Sequence, residues 1–587
     1  MKGRFQTAVF MLCATASRSI PLQQMTVRTG EDVSQSADYA LPLKAQGKNP
    51  MSINRPSPKE AAPLQKKVVC RPRHIHLSIG RYQNSTHSSM TASFSFSPKC
   101  LDLFDDDALM GAVRVWDRSE NFDILVLGDE GDVRSYSAPI VDKHLKPIER
   151  DGMTHYFSDL HYHIEIDGLK PGSKYSYKCL LLQQPNPSSI ARKDQRGSVR
   201  LGQNDVSIRA ISKSDESTFF TPPAPGNWYS SSPDNTIKFA VLGDLAVTAH
   251  SRQTVHILNQ HHLRFDGRVA SGENVHLPDG QGIDCVLLAG DLAYANSNHD
   301  IWDEWMDMMS AHEFFRTVPL QVALGNHDLD YDPKTMEIAL SYESRFRMPQ
   351  VRPALRDLAP NDLFHHGNMI QAKTFVPYEF GNAYYSFSFG PSTHIVLSSY
   401  SSFLPASVQY QWLVSKLQAI DRSITPWLVV MIHCPIYTTF TNHRDEIFIT
   451  AARTHLEPLF FKYSVNVVFA GHVHSYMRTA PTANSTLHPR GPIYIIQGNG
   501  GRQVNEPYTN EVPEEWVEVR DNSMYGFGSL ELYNHTHAKW TWVKTGFNTN
   551  VHGKIEPNFS IHDDVWIMNQ LFVAADGYPM HETDKFL

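Results

Sequence analysis

DCVLLAGDLAY (284–294) is a short apolar run that ends in a carboxylate, with a tyrosine three residues further on. Comparable runs recur on both sides of it, at IKFAVLGD (237–244), PLQVALGN (319–326), IVLSSY (395–400), WLVVMIH (427–433), VNVVFAGH (465–472) and PIYIIQG (492–498). Helical patterns fall between several of them, at 253–261, 300–314, 408–419 and 447–462, and the second contains an apolar stripe predicted to be core: Trp302, Trp305, Met306 and Met309. Continuous apolar strands that alternate with helices indicate an α/β domain with strands buried on both faces.

The region before this domain has a different pattern, with short strand-like segments and turn residues but no helical periodicity. The segments are HIHLSIG (74–80), MTASFSF (90–96), DILVLGD (123–129), HYHIEIDGL (161–169) and KYSYKCLL (174–181). This pattern predicts a β-sandwich over residues 67–222. A Pro- and Ser-rich stretch at 221–235 then marks the boundary, so the α/β domain is expected over 235–570 and a tail over 571–587.

The first thirty residues contain four basic residues and no acidic residue. They include the apolar core AVFMLCA (8–14) and an A-x-A site at 14–16, which together predict a secretory signal peptide over residues 1–16. An organellar transit peptide is the alternative, because such peptides are also basic and poor in acids. Residues 17–66 are polar and are predicted to be a linker or pro-segment. Four N-x-S/T triplets agree with secretion and glycosylation, at Asn84, Asn484, Asn534 and Asn558.

The composition of the 587-residue chain excludes several classes of protein. Its net charge of −8 argues against a general binder of nucleic acid or anionic membranes, and no apolar run past the N-terminus reaches the length of about 18 residues that a membrane span needs. Six cysteines against 29 histidines argue against a disulfide scaffold and favour nitrogen and oxygen ligands for any metal. Cys285 and Cys434 lie inside apolar strands and are expected to be buried thiols, whereas Cys70, Cys100 and Cys179 can form at most one pair.

Seven side chains that can bind a metal follow the apolar strands. Five stand directly at strand ends and two follow closely, and the full set is Asp244, Asp291, Tyr294, Asn326, His433, His472 and His474. Singly, each has an ordinary explanation, such as a helix N-cap, a hydrogen-bonded imidazole or a packed phenol. Ligands in open α/β sheets bind beyond the carboxyl ends of the strands, so side chains at matching ends converge on one rim if the strands lie side by side. The matching positions therefore favour a metal site.

Seven donors are too many for one metal that must also bind substrate, but two metals that share one carboxylate can use them all. Each metal then has four protein ligands and keeps open positions. Two adjacent metals are suited to in-line displacement at phosphorus, because one generates hydroxide and both screen the phosphoryl oxygens. A phenol has a pKa near 10, so its coordination at acid pH needs a hard, highly charged cation such as Fe³⁺.

The order of the motifs resembles the metallophosphoesterase superfamily. The motifs are GDL (243–245), GDLAY (290–294), GNHD (325–328), MIHCPIY (431–437) and GHVHSYMR (471–478). The tyrosine in GDLAY and the form of the last motif are similar to the purple acid phosphatases, in their high-molecular-weight, plant-like form. HIHLSIG, HYHIEIDGLKPGSKYSY and FFTPP resemble that family's fibronectin-III-like N-terminal domain, and YGFGSLELYNHTHAKWTW resembles its C-terminal stretch. The resemblance covers residues 70 to about 570. It implies a metallophosphoesterase β-sandwich flanked by helices, preceded by an all-β domain.

The resemblance also implies a role for each donor. Fe³⁺ would be held by Asp244, Asp291, Tyr294 and His474. A divalent ion (Zn²⁺, Mn²⁺ or Fe²⁺) would be held by Asp291, Asn326, His433 and His472, with Asp291 bridging the two metals.

Three further residues are implied at the substrate. His327 would lie near the phosphate, and Asn326, besides binding metal, belongs to the catalytic set with His327 and His443. Plant members have two adjacent histidines where this chain has Asn442 and His443. The role of leaving-group acid or phosphate contact is carried onto His443, whereas Asn442 can hydrogen-bond phosphate but cannot deliver a proton. A second departure is Ala246, where the family usually has glycine; its methyl group is tolerable unless the backbone needs a positive φ.

The sequence is therefore interpreted as a secreted acid phosphatase that hydrolyses phosphate monoesters by in-line attack of a metal-bound hydroxide. The expected substrate is a small phosphate ester, the expected location is extracellular, cell wall or vacuole, and a homodimer is compatible with the sequence. Two alternatives stay open. One is a phosphodiesterase or nucleotide pyrophosphatase on the same two-metal scaffold, and the other is a non-enzymatic extracellular binding protein with a decayed site.

Overall fold

The computed structural model describes residues 70–103, 109–142, 146–183, 198–199, 210–229, 236–265, 282–330, 338–349, 375–549 and 555–573. The predicted signal peptide, the predicted linker and nearly all of the predicted tail lie outside these residues. Among the residues described, no helix combines the length and the apolar character that crossing a membrane requires.

The N-terminal part consists of strands, in agreement with the prediction of an all-β region. They are β1 (Arg73–Gln83), β2 (Ser88–Phe96), β3 (Leu109–Asp117), β4 (Phe122–Leu127), β5 (Val133–Arg134), β6 (Ser137–Pro139), β7 (His155–Phe157), β8 (Leu160–Leu169), β9 (Lys174–Gln183), β10 (Ser198–Val199), β11 (Ala210–Lys213) and β12 (Ser217–Phe220). The main sheets have the orders β1-β2-β8-β5 and β10-β4-β3-β9-β11, and β12 also pairs with β9. The likeness to a fibronectin type III domain and the limits 67–222 stay predictions.

Alternate residues of these strands form one apolar core. Met90, Ala92 and Phe94 of β2 pack in the same cluster as Tyr175 and Tyr177 of β9, because side chains two apart on a strand share a face. A disulfide joins Cys70 to Cys100, and the third cysteine of this region is a buried free thiol, as are Cys285 and Cys434.

The second part alternates strands and helices, as predicted, and adds a C-terminal run of strands. Its elements are β13 (Ile237–Leu242), α1 (Ala249–Phe265), β14 (Cys285–Leu288), α2 (His299–Ser310), α3 (Phe314–Thr317), β15 (Leu320–Val322), α4 (Leu340–Arg345), β16 (Tyr385–Phe389), β17 (Ser392–Leu397), α5 (Val408–Ala419), β18 (Trp427–Ile432), α6 (Ile447–His455), α7 (Glu457–Lys462), β19 (Val467–Ala470), β20 (Tyr476–Thr479), β21 (Thr482–Ala483), β22 (Thr486–Leu487), β23 (Ile493–Gln497), β24 (Val517–Asp521), β25 (Tyr525–Leu532), β26 (His537–Thr549) and β27 (Ile555–Met568). Short 3₁₀ helices lie at Pro98–Leu103, Glu130–Asp132, Asn326–Asp328 and Gln570–Phe572.

The strands of this part form two large mixed sheets. One has the order β15-β14-β13-β25-β26-β27 and the other β16-β17-β18-β19-β23-β20-β24. The strands that carry the motifs are parallel within each sheet: β13, β14 and β15 in the first, and β18 and β19 in the second. The motif-bearing strands therefore do not lie side by side in one sheet, and their carboxyl ends meet because the two sheets face each other.

Strand β18 shows how the second sheet is buried on both faces. Trp427, Val429 and Met431 pack in the core shared with the first sheet, whereas Leu428 and Val430 pack with the apolar residues of α5, α6 and α7. The continuous apolar sequence of this strand thus reflects two different cores. The predicted stripe of α2 is also core, since all four of its residues are at most 1% exposed: Trp302, Trp305, Met306 and Met309.

Two predicted helices are divided in the structure. The pattern over 300–314 becomes α2 and the start of α3, and the pattern over 447–462 becomes α6 and α7 with a break at Leu456. Pro458 explains the second break, because it lacks a backbone N–H and is accommodated in the first turn of a new helix. Helix α4 was not predicted; six residues are too few to show periodicity.

A buried polar interface joins the N-terminal sheets to the α/β domain. At its centre the Arg345 guanidinium, 0% exposed, donates to the hydroxyls of Tyr136 (2.7 Å) and Tyr156 (2.9 Å) and to Asp303 (3.0 Å). His74 also contacts Asp307, with 2.8 Å between Nε2 and Oδ1. Ser95 of β2 contacts this His74, and Ser93 contacts His163, whose Nε2 lies 3.0 Å from the carbonyl of Ser344.

Candidate metal centre

The predicted donors lie at the carboxyl ends of strands, and the backbone there is strained. Asp244, Asp291, Tyr294 and His472 have φ values of 56°, 53°, 56° and 70°. Left-handed backbone costs a non-glycine residue about 1–2 kcal/mol and is concentrated at functional sites. The turns that follow β13, β14 and β19 are thus shaped to turn side chains into the space between the sheets.

Glycines in the same motifs leave room for the carboxylates. A Cβ atom at Gly325 would collide with the carboxylate of Asp291, and one at Gly471 would collide with that of Asp244. Glycine at these positions is therefore required by the close approach of the backbone to the donors.

Ala246 adopts the conformation for which its methyl group is costly. Its φ is 59°, so the usual family glycine would relieve strain of about 1 kcal/mol. Its N–H donates to the carbonyl of Leu292 (2.9 Å) and thereby links the turn of Asp244 to the turn of Asp291. Alanine in place of glycine at position 246 therefore affects this turn but none of the donor atoms.

Three donors meet on one side of the centre. The Tyr294 hydroxyl lies 2.9 Å from Asp244 Oδ1, to which it donates, and 2.6 Å from His474 Nε2. Asp244 Oδ1 and His474 Nε2 are 3.5 Å apart. A phenol, a carboxylate and an imidazole from three separate motifs thus converge within contact distance.

The other donors meet beside them. Asn326 Oδ1 lies 3.0 Å from His472 Nδ1 and 3.2 Å from His433 Nε2, which is itself 3.4 Å from Asp291 Oδ1. Ligand atoms of Asp244, Asp291 and His433 all lie within 4.8 Å of one another. The two groups of donors are therefore neighbours, with Asp291 in contact with both.

The imidazoles are held so that one ring nitrogen of each faces the centre. His433 Nδ1–H donates to the carbonyl of Ala289 (2.7 Å), and His474 Nδ1–H donates to that of Gln503 (3.0 Å). His472 is turned the other way, because its Nε2 lies 2.9 Å from Glu446. Such outward hydrogen bonds fix the tautomer and leave Nε2 of two rings and Nδ1 of the third available to a cation.

The charges at the centre fit cations. Burial raises the pKa of Tyr294 well above its usual value, and the carboxylates of Asp244 and Asp291 raise it further. Burial also disfavours charge on Asp291 and His433, but their mutual attraction outweighs it: the pKa of Asp291 lies below its usual value and that of His433 is raised to about 9. A phenolate at Tyr294 therefore requires a nearby positive ion, and the oxygen and nitrogen donors suit hard or borderline metals.

The predicted substrate residues line the opening. The His327 ring stacks on Tyr294 with 4.3 Å between ring centroids, and its Nε2 lies 3.9 Å from Asp291. His443 is partly exposed, with its ring 4.3 Å from that of His472. Asn442 lies at the same opening, but its amide nitrogen donates to Glu506.

Three residues that the sequence did not single out also support the centre. The Tyr400 hydroxyl donates to Asn326 Oδ1 (3.1 Å), and Asp328 accepts the N–H groups of Gly325 (3.1 Å) and Leu292 (3.0 Å). Burial raises the pKa of Asp328 to about 8, with a further contribution from Asp291. Asp328 could have been found from its place in GNHD, and Tyr400 from its place at the end of the apolar run IVLSSY (395–400).

Glu446 is the third such residue and joins two histidines. Its oxygens lie 2.6 Å from His443 Nδ1 and 2.9 Å from His472 Nε2. Burial works against its charge, but these two imidazoles lower its pKa to about 2. The carboxylate therefore stays ionised and orients both rings.

The chain is similar to known phosphatases both in its family models and in its sequence relatives. Residues 237–476 match the family model described as calcineurin-like phosphoesterase, and residues 491–553 match the one described as iron/zinc purple acid phosphatase-like protein C. Purple acid phosphatase 21 of Arabidopsis thaliana is 30% identical over 397 residues, which cover 67% of this chain and 71% of that protein. Fe(3+)-Zn(2+) purple acid phosphatase 12 of the same plant is 29% identical over 373 residues, covering 61% and 66%.

The fold has a solved counterpart. The structure of purple acid phosphatase PPD1 from yellow lupin (Lupinus luteus) matches with a TM-score of 0.58, covers 87% of this chain and 77% of its own, and is 18% identical. At that identity the likeness concerns the fold alone, and it agrees with the α/β class predicted from the sequence.

Proposed function

The chain belongs to the purple acid phosphatases, which are metal-dependent phosphatases with two metal ions, and from this premise we propose which residues hold the metals and what substrate they act on. Fe³⁺ is assigned to Asp244, Asp291, Tyr294 and His474. The divalent ion, Zn²⁺, Mn²⁺ or Fe²⁺, is assigned to Asp291, Asn326, His433 and His472. One Arabidopsis relative is named as an Fe(3+)-Zn(2+) enzyme, which supports zinc as the second metal.

The observation that carries the assignment is the contact between Tyr294 and His474. These residues are 180 positions apart, yet the hydroxyl lies 2.6 Å from Nε2 and 2.9 Å from Asp244 Oδ1. A neutral phenol, carboxylate and imidazole meeting at one buried point are the ligand set of a hard cation. When bound, two adjacent cations lower the pKa of water and screen the oxygens of a phosphate.

The chain's own residues supply proton transfer and orientation. His443 is oriented through Nδ1 by Glu446 (2.6 Å), so its Nε2 is left to donate a proton to the leaving alkoxide. His327 is fixed by a 2.6 Å contact between its Nδ1 and Asn296, which leaves its Nε2 to hydrogen-bond the phosphate. Tyr400 holds the Asn326 side chain in place. Asn442 remains assigned to the phosphate, with its second amide hydrogen as the donor.

We expect purified protein to hydrolyse p-nitrophenyl phosphate faster than bis(p-nitrophenyl) phosphate. A monoester dianion presents more charge to the two cations than a diester monoanion does. The measurement is kcat/KM for both substrates on metal-analysed protein between pH 4 and 8. A faster diester reaction would instead identify a phosphodiesterase, and no turnover of either compound by fully metallated protein would favour the binding-protein alternative.

We also propose that the protein is secreted, to the extracellular space, the cell wall or the vacuole, and is glycosylated. The Cys70–Cys100 disulfide is typical of the secretory route. All four candidate acceptors are exposed: Asn84, Asn484, Asn534 and Asn558. The proposed domain limits are 67–222 and 235–570.

A further inference from the structure

The structure points to Arg502 as a residue that selects substrates, and we infer that it binds a second anionic group on the phosphate ester. The inference rests on the proposed function and deepens it, because it names the substrate class. That class is a phosphate monoester whose alcohol part carries another phosphate or a carboxylate close to the scissile phosphate.

Arg502 belongs to a segment that is fixed to the metal centre. The segment follows β23, and the N–H of Arg502 donates to the carbonyl of Asp244 (2.9 Å). Next to it, Gly500 donates to Gly243 (3.0 Å) and the carbonyl of Gln503 accepts from His474 (3.0 Å). The backbone at residue 502 is therefore attached to the same turns that present the proposed metal ligands.

The side chain of Arg502 reaches over the centre and ends in solvent. Its guanidinium carbon lies 5.0 Å from the ring centroid of Tyr294, and the residue is exposed. Among the described residues, no carboxylate forms an ion pair with it. The acidic residue closest in sequence, Glu506, is engaged with Asn442 instead. An exposed guanidinium with five N–H donors is thus held at the opening without an anionic partner.

Charge makes this position selective. The protein carries a net charge of −8, and the Glu446 carboxylate lies between His443 and His472, on the His443 side of the opening. A second anionic group on a substrate is repelled there, whereas on the Tyr294 side it meets a guanidinium that can bind it through two parallel hydrogen bonds. Substrates with one anionic group gain nothing from Arg502.

The test compares glycerol phosphate with phosphoglycerate, which differ by one carboxylate. In Arg502→Gln we expect KM for phosphoglycerate to rise about ten-fold, the loss of one charge-assisted contact, and KM for glycerol phosphate to change less than about two-fold. Arg502→Lys should restore part of the difference, since it keeps the charge but not the fork. Added salt should reduce the wild-type preference. Arg490→Gln, at another exposed arginine, is the matched control and should leave both KM values unchanged.

Two results would overturn the inference. If Arg502→Gln changed KM for both esters equally, the residue would act on the scissile phosphate or on Tyr294 alone. A shifted visible absorption band, with the ratio of the two KM values unchanged, would likewise show that Arg502 acts on Tyr294 and not on the second anionic group. If neither KM changed, the guanidinium would have no part in binding. Failure of the proposed function is recognised separately, because wild-type protein would then not hydrolyse glycerol phosphate at all.

Discussion

Replacing Asp291 with asparagine should lower kcat by at least about 10³-fold. Asp291 is 1% exposed, and its Oδ1 accepts the N–H of His327 (2.8 Å) while lying 3.4 Å from His433 Nε2. An amide removes the one negative charge assigned to both cations and places an N–H₂ group where a lone pair is needed. The loss should therefore appear in metal content as well as in rate.

The measurement combines kcat on p-nitrophenyl phosphate with metal analysis of the same preparation. Asp564→Asn is the matched control, because this carboxylate is 44% exposed on β27 and contacts Lys539 and Thr541 rather than the centre. It should keep both metals and wild-type kcat. Retained turnover in Asp291→Asn protein with two metals bound would show that Asp291 does not bridge them.

Replacing Arg345 with alanine should lower the free energy of unfolding by about 3 kcal/mol or more. The substitution removes one hydrogen-bond partner from Asp303 and from the hydroxyls of Tyr136 and Tyr156, within the interface between the N-terminal sheets and the α/β domain. Burial raises the pKa of Tyr136 to about 12, so its hydroxyl stays protonated. The guanidinium also lies 5.5 Å from the Trp302 ring, so packing is lost along with charge.

The change in the free energy of unfolding is measured by denaturant unfolding of wild-type and variant proteins that have the same metal content. Arg114→Ala is the control, because its ion pair with Asp123 on β3 and β4 is about half exposed, at 50% and 43%. An exposed pair contributes about 0–1 kcal/mol, so that variant should unfold near the wild-type midpoint. Equal destabilisation by the two substitutions would show that the buried interface is not held by Arg345.

The sequence predicted the strands and the metal-binding side chains that follow them, because both depend on local pattern. Continuous apolar runs identified β13, β14, β18 and β19, and the residue after each run drew attention to the centre. It could not show that the runs belong to two facing sheets. That arrangement depends on β25, which pairs antiparallel with β13 from nearly 300 residues away and separates the strands that the pattern alone would have placed together.

The residues around the donors were less predictable than the donors. Glu446 meets His472 and Arg502 lies over Tyr294 only because loops from distant parts of the chain come together. Such contacts have no spacing rule, since each depends on the tertiary path of a loop. The same limit applies to Asn442, whose residue type indicated a phosphate contact but not its hydrogen bond to Glu506.

The visible absorption spectrum of metal-analysed protein, recorded beside that of Tyr294→Phe, tests the central claim that the phenol of Tyr294 binds Fe³⁺. We expect a coloured wild-type protein with two metals per chain, because a phenolate bound to Fe³⁺ absorbs visible light by charge transfer. We also expect Tyr294→Phe, which removes only the hydroxyl that lies 2.6 Å from His474, to lose this band. An active wild-type protein that contains both metals and is colourless would contradict the claim.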